Sequence, residues 1–189
     1  MSYLRFDKTL MTNLSDSLQK EVLRSNRSGA YACTTIVDCN TRKYHGLLVV
    51  PVPELDDENH VLLSSLDATV IQHGAEFNLG LHKYQGDNFS PRGHKYIREF
   101  DSLQVPTTTY RVGGVILKRE MMFQHFENRI IIRYTLVEAH SATTLRLQPF
   151  LAFRSVREFT HENSGARRDY AVVENGIKTS MYPGYPELY

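Results

Sequence analysis

Apolar and polar residues alternate with a period of two along most of this chain. In residues 115–124, Val115, Leu117, Met121 and Phe123 fall on one side and Lys118 and Glu120 on the other. That is the pattern of a strand with one buried face, and Arg119 interrupts its apolar side. Residues 130–137 and much of 143–153 are rich in β-branched and aromatic side chains, which suit a pleated, half-buried surface. Turn residues punctuate these runs. Gly113-Gly114 separates 107–112 from 115–124, and Asn175-Gly176 separates 170–174 from 177–182. Both read as two-residue hairpin connections, because primed turns need positive φ and these residues reach it at low cost. His73-Gly74-Ala75 is predicted to join 68–72 to 76–79, and Asp38-Cys39-Asn40 to join 30–37 to 41–50. One or two helical turns are predicted near 14–22, where Leu14, Leu18 and Val22 recur at four-residue spacing and Ser15 or Asp16 offers a cap. Residues 82–95, rich in Gly, Asn, Asp, Ser and Pro, read as a long loop. Short strands joined by tight turns predict an all-β fold, a twisted antiparallel β-sandwich with little helix, as one domain over residues 1–189.

Composition narrows the classes. At 189 residues, with 41% hydrophobic and 23% charged positions, the chain can bury a core without metal or disulfide support. Its 22 basic and 21 acidic residues give a net charge of +1. Nucleic-acid binding draws on a concentrated basic excess, which is missing here; Arg167-Arg168 reads as a solvated pair. Cys33 and Cys39, if on one strand, lie about 20 Å apart, beyond the ~7 Å reach of a disulfide. Free, buried thiols are expected. The N-terminus has no basic stretch followed by an apolar one, and no apolar run approaches the ~20 residues needed to span a bilayer. The expectation is a cytoplasmic protein without a membrane partner.

The densest polar cluster is Asn40-Thr-Arg-Lys-Tyr-His-Gly46, leading into the apolar run 47–50. On strand alternation, Arg42, Tyr44 and Gly46 point one way and Thr41, Lys43 and His45 the other. A guanidinium fork, a phenol and an imidazole suit a sugar or the polar surface of a partner domain. The same residues equally suit an internal network that locks strand register. Histidine spacing gives no metal motif, and Glu158, His161 and Glu162 read as an exposed loop. No nucleophile elbow and no phosphate-binding glycine loop occurs. Glycosidase chemistry needs two carboxylates about 5 to 9.5 Å apart, and spacing pairs none of Asp67, Asp87, Glu99, Asp101 and Glu120. No cofactor is expected.

Residues 25–32, Ser-Asn-Arg-Ser-Gly-Ala-Tyr-Ala, and 40–49, Asn-Thr-Arg-Lys-Tyr-His-Gly-Leu-Leu-Val, resemble the opening signature of bacterial and archaeal glycogen debranching enzymes. The second stretch matches the family's Asn-Thr-Arg-x-Tyr-His-Gly-Leu-Leu almost fully. In the first, Arg27, Ser28 and Ala30 replace small residues. The likeness continues through 61–67, 110–134 and the Pro-x-x-x-x-Arg element ending at Arg154, after which Ser155-Val156-Arg157 stands where the family has an aspartate and a histidine. The resemblance implies an N-terminal super-sandwich domain followed by a helical toroid that holds the acids hydrolysing α-1,6 branches. It transfers no catalytic residue to this chain. Asn26, Arg42, Tyr44, His45 and Arg154 are implied as interface or glucan-contacting residues. The implied partners are the catalytic domain of the same polypeptide and a glycogen-like α-glucan. A free-standing carbohydrate-binding module is the alternative, and the absence of Trp leans against it.

Overall fold

The computed structural model describes residues 4–189; Met1–Tyr3, part of the N-terminal stretch read above for a leader, lie outside them. Strand accounts for 51% of the described residues and helix for 7%. In chain order the elements are β1 (Arg5–Asp7), α1 (Lys8–Thr12), α2 (Leu14–Ser17), β2 (Glu21–Ser25), β3 (Tyr31–Thr35), β4 (Gly46–Pro51), β5 (Asn59–Gln72), β6 (Ala75–Asn78), β7 (Leu81–Tyr84) and β8 (Asn88–Arg92). A 3-10 turn at Gly93–Tyr96 precedes β9 (Ile97–Asp101), β10 (Thr107–Val112), β11 (Val115–Phe123), β12 (Ile130–Glu138), β13 (Thr144–Ser155), β14 (Ala171–Val173) and β15 (Gly176–Lys178).

Eleven of the strands form two packed antiparallel sheets, as predicted, and β7-β8 and β14-β15 pair as separate two-stranded ribbons. One sheet runs β1-β9-β10-β11-β12; the other runs β13-β5-β4-β3-β2, with β6 also on β5. The inward faces of both meet in common clusters. Ala68, Val70 and Leu81 pack with Ile97, Phe100, Tyr110, Val115 and Leu117. Further along, Ala32 and Leu47 of one sheet meet Met121 of the other, with Ile130 and Ile132 alongside. No described helix is long and apolar enough to cross a membrane. Cys33 and Cys39 are free and buried, as expected.

The hairpins follow the turn residues closely. Val112 pairs with Val115 across Gly113-Gly114, and Gln72 with Ala75 across His73-Gly74. At the third, Val173 pairs with Gly176, so the loop is Glu174-Asn175, one residue earlier than expected, with Asn175 at φ 59.

Four expectations are corrected. Residues 82–95 are not a loop: β7 and β8 pair there, reversing at Gly86 (φ 75) and Asp87 (φ 56), so the polar run is a short solvated ribbon. The helical turn expected near 14–22 forms at Leu14–Ser17, but its cap is Asn13 rather than Ser15 or Asp16, and Val22 belongs to β2; Leu14, Leu18 and Val22 all reach the core. Arg119 does not break the apolar side of β11. It is 6% exposed, and Asp38 neutralises it inside the sandwich at 2.8 Å. Finally, β4 begins at Gly46, so residues 36–45 form a folded connection and strand alternation does not govern 41–45.

Candidate functional site

The 36–45 connection folds on its own hydrogen bonds. Asp38, at φ 56, turns the chain out of β3. Thr35 Oγ1 donates to the Cys39 carbonyl and accepts from the Cys39 N–H. Asn40 donates to the Ser64 carbonyl on β5 at 2.8 Å. At the far end the Thr41 N–H donates to His45 Nδ1 at 3.0 Å, and the His45 N–H to the Arg42 carbonyl. The tight 42–45 turn lifts Arg42, Lys43 and Tyr44 into solvent and drives His45 to full burial.

Glu21, the first residue of β2, gathers this turn. Its Oε1 lies 3.1 Å from His45 Nε2 and 3.7 Å from Arg42 Nε, and the Tyr44 hydroxyl donates to it at 3.3 Å. Tyr31 on β3 donates its hydroxyl to the Tyr44 carbonyl at 3.1 Å. Burial pushes the Tyr31 hydroxyl up to about 12, so it is a neutral donor. Glu21, Leu23, Arg27, Tyr31 and Tyr44 then line an open groove along β2. Nothing local in the sequence pointed to Glu21: it stands 24 residues before His45, and only the pairing of β2 with β3 brings them together.

Arg154, at the end of β13, joins the same side of the molecule. Its Nη1 donates to the carbonyls of Ser155 and Glu158, and its guanidinium carbon lies 5.6 Å from the centre of the Phe159 ring. Lys43 Nζ lies 5.3 Å from the same centre. One exposed ring thus bridges the 42–45 turn to the segment after β13. Asn26 lies apart and fully buried. Its Oδ1 accepts from the N–H groups of Ser28 and Ala30, and its Nδ2 donates to the Glu127 carbonyl and Asn128 Oδ1. All four of its amide valences are spent in clamping one turn to another.

Glu21, Cys33 and His45 present a carboxylate oxygen, a thiol and an imidazole nitrogen within 4.8 Å of one another. By residue type that is a donor set for zinc. The hydrogen bonds oppose it. Because a backbone N–H occupies His45 Nδ1, the ring proton of the neutral imidazole sits on Nε2 and faces Glu21. A metal at Nε2 needs the opposite tautomer, whose Nδ1–H would meet the Thr41 N–H head on. Burial also pushes the Cys33 thiol up to about 11 and lowers His45, leaving a protonated thiol and a neutral donor ring. The arrangement therefore positions Arg42 and Tyr44; it supplies neither a nucleophile nor a metal-bound water.

The acids singled out by sequence are occupied elsewhere. Asp67 is held by His82, Asp87 by Lys83, Glu99 by Arg5 and Glu120 by Arg133. Asp101 lies half-buried on β9 and accepts weakly from the Leu103 N–H. Glu158, His161 and Glu162 lie in an exposed, irregular stretch.

A family model described as the glycogen debranching enzyme N terminal matches residues 20–189. Neither a curated protein nor a solved structure matches the chain significantly.

Proposed function

From the premise that the chain belongs to the glycogen debranching enzyme N-terminal family, we propose that it is the non-catalytic sandwich domain of an α-1,6-glucosidase that debranches glycogen. In this reading it braces a separate catalytic domain of the same polypeptide and shapes the approach of the α-glucan. The Glu21-centred rim carries the proposal. A buried histidine fixes one carboxylate, and that carboxylate holds Arg42 and Tyr44 outward on one surface. Internal register needs His45, but it does not need a guanidinium and a phenol ring turned to solvent. Hydrolysis belongs to the catalytic domain, since each strongly placed carboxylate described here faces a base rather than a second carboxylate. The cytoplasm, where glycogen is broken down and thiols stay reduced, is the compartment this reading implies.

The half-exposed Tyr44 ring also favours a second reading, direct glucan contact by a free-standing module. Affinity electrophoresis of the isolated chain through glycogen separates the two. Unretarded migration supports the bracing role, and retardation abolished by Tyr44→Ala supports the binding module.

A further inference from the structure

Two cations beside the rim lack a counter-charge. Arg42 lies near Glu21, and Arg157 pairs with Glu58, but neither Lys43 nor Arg154 is in an ion pair among the described residues. Arg154 is also held in place. Its Nη1 donates to the carbonyls of Ser155 and Glu158 at 3.0 and 2.9 Å, and its guanidinium carbon stands 5.6 Å from the centre of the Phe159 ring. The other edge of the fork is open. Nε and Nη2 have no acceptor among the described residues, yet neither is sealed from solvent. Lys43 Nζ, 5.3 Å from the centre of the same ring, brings a second positive charge to this spot. The electrostatics agree with the geometry. Arg133 and Arg146 each donate to a carboxylate, which raises them above their ordinary value. Burial lowers Arg154 instead, opposed only by the nearby Tyr31 hydroxyl, which is neutral and offers no counter-charge.

We propose that Arg154 and Lys43 bind a phosphate group. The Nε–Nη2 edge of a guanidinium takes two oxygens of one phosphate side by side, and an ammonium takes another as a point charge. Charge selects phosphate over a carboxylate. Two uncompensated cations match one dianion, whereas a carboxylate leaves one of them over. A sugar hydroxyl brings no charge to either. The spot is partly open to water, so screening weakens each attraction, and binding draws on a fork already ordered before the ligand arrives. The two carbonyls and the Phe159 ring do that ordering. Phosphate can come free or as an ester on a glucan, and the fork meets the same oxygens in both. Lys43 stands between Arg42 and Tyr44 in the turn, so the site adjoins the rim. It requires neither a catalytic domain nor a glucan on Tyr44, and it holds whichever of those the rim serves.

Titrating inorganic phosphate into the isotope-labelled 1–189 chain, at pH 8 and constant ionic strength, tests it by NMR. The expected result is a saturable shift confined to residues 42–45 and 154–159, with acetate far weaker. No saturable shift overturns the proposal, and so does acetate binding as tightly as phosphate. Arg154→Gln should weaken phosphate about tenfold or more, because charge-assisted hydrogen bonds are lost. Lys43→Gln leaves the Arg154 fork and its carbonyl bonds intact and should weaken it about two- to fivefold. Unchanged affinity in both variants also overturns it, and the spectrum of each variant reports whether the chain is still folded. A phosphorylated maltooligosaccharide in a parallel titration separates the sources. Tighter binding than inorganic phosphate assigns the site to an esterified glucan, and equal binding assigns it to free phosphate; both support the site.

Discussion

His45 and Glu21 show how a residue's surroundings decide its role. The sequence placed His45 in a polar motif but not at the bottom of it. What distinguishes it from Tyr44, one residue away, is a turn that buries one ring and exposes the other. The two should respond differently to substitution. His45→Ala leaves the Thr41 N–H and the Glu21 carboxylate short of a partner and should destabilise the chain by about 1–3 kcal/mol in denaturant unfolding. Tyr44→Phe and Arg42→Ala, at exposed positions, should change it by no more than about 0.5 kcal/mol. Burial lowers both His45 and His94 below their ordinary range. Between the lowered folded value and about 6.5 the unfolded chain binds more protons than the folded one. Stability is therefore full above about pH 6.5, declines as pH falls through that window, and levels off once the folded histidines also protonate. Urea midpoints from pH 7.5 to 5 check this, and the decline should be shallower in His94→Gln. Glu21 and Arg119 were illegible in sequence for one reason: each acts through a partner brought close only by strand pairing or sheet packing.

At the scale of elements, turn chemistry was the most legible signal. Gly113-Gly114, His73-Gly74 and Asn175 supply positive φ where the chain reverses, and each hairpin formed there. Composition misled at 82–95, because a two-stranded ribbon with both faces near solvent needs no apolar alternation. It also misled at 41–45, where a polar run before an apolar strand looked like the strand's continuation. Close approach, unlike turn chemistry, leaves no mark in a single sequence. At Gly93 an added Cβ would lie 2.1 Å from the Leu79 backbone, whereas at Gly74 it would meet nothing within 4 Å. Gly93→Ala must displace backbone and should cost about 3 kcal/mol or more, the top of the overpacking range. Gly74→Ala pays only for its positive φ, about 1–2 kcal/mol. Thermal unfolding of the pair checks the ordering; equal losses would show that the turn following β8 yields.

For the whole molecule, fold class and family were readable from strand punctuation and from the 40–49 motif, while the half-buried Arg119–Asp38 ion pair between the two sheets was not. Both thiols lie inside, and burial pushes each up to about 11. They should resist iodoacetamide at pH 8 in the native chain and react fully in denaturant; rapid native alkylation would contradict the burial described. The central claim is that the Glu21-centred rim serves a catalytic domain rather than this domain's own stability. The most direct measurement introduces Arg42→Ala and Tyr44→Ala together, both into a polypeptide that joins this chain to the proposed catalytic domain and into the 1–189 chain. Glucose release from limit dextrin is then compared with the melting temperature of the shorter protein. The account predicts a loss of activity of about tenfold or more, with the melting temperature of the 1–189 chain lowered by no more than about 2 °C. Full activity alongside a collapsed melting temperature would contradict it and make the rim an internal network of the sandwich.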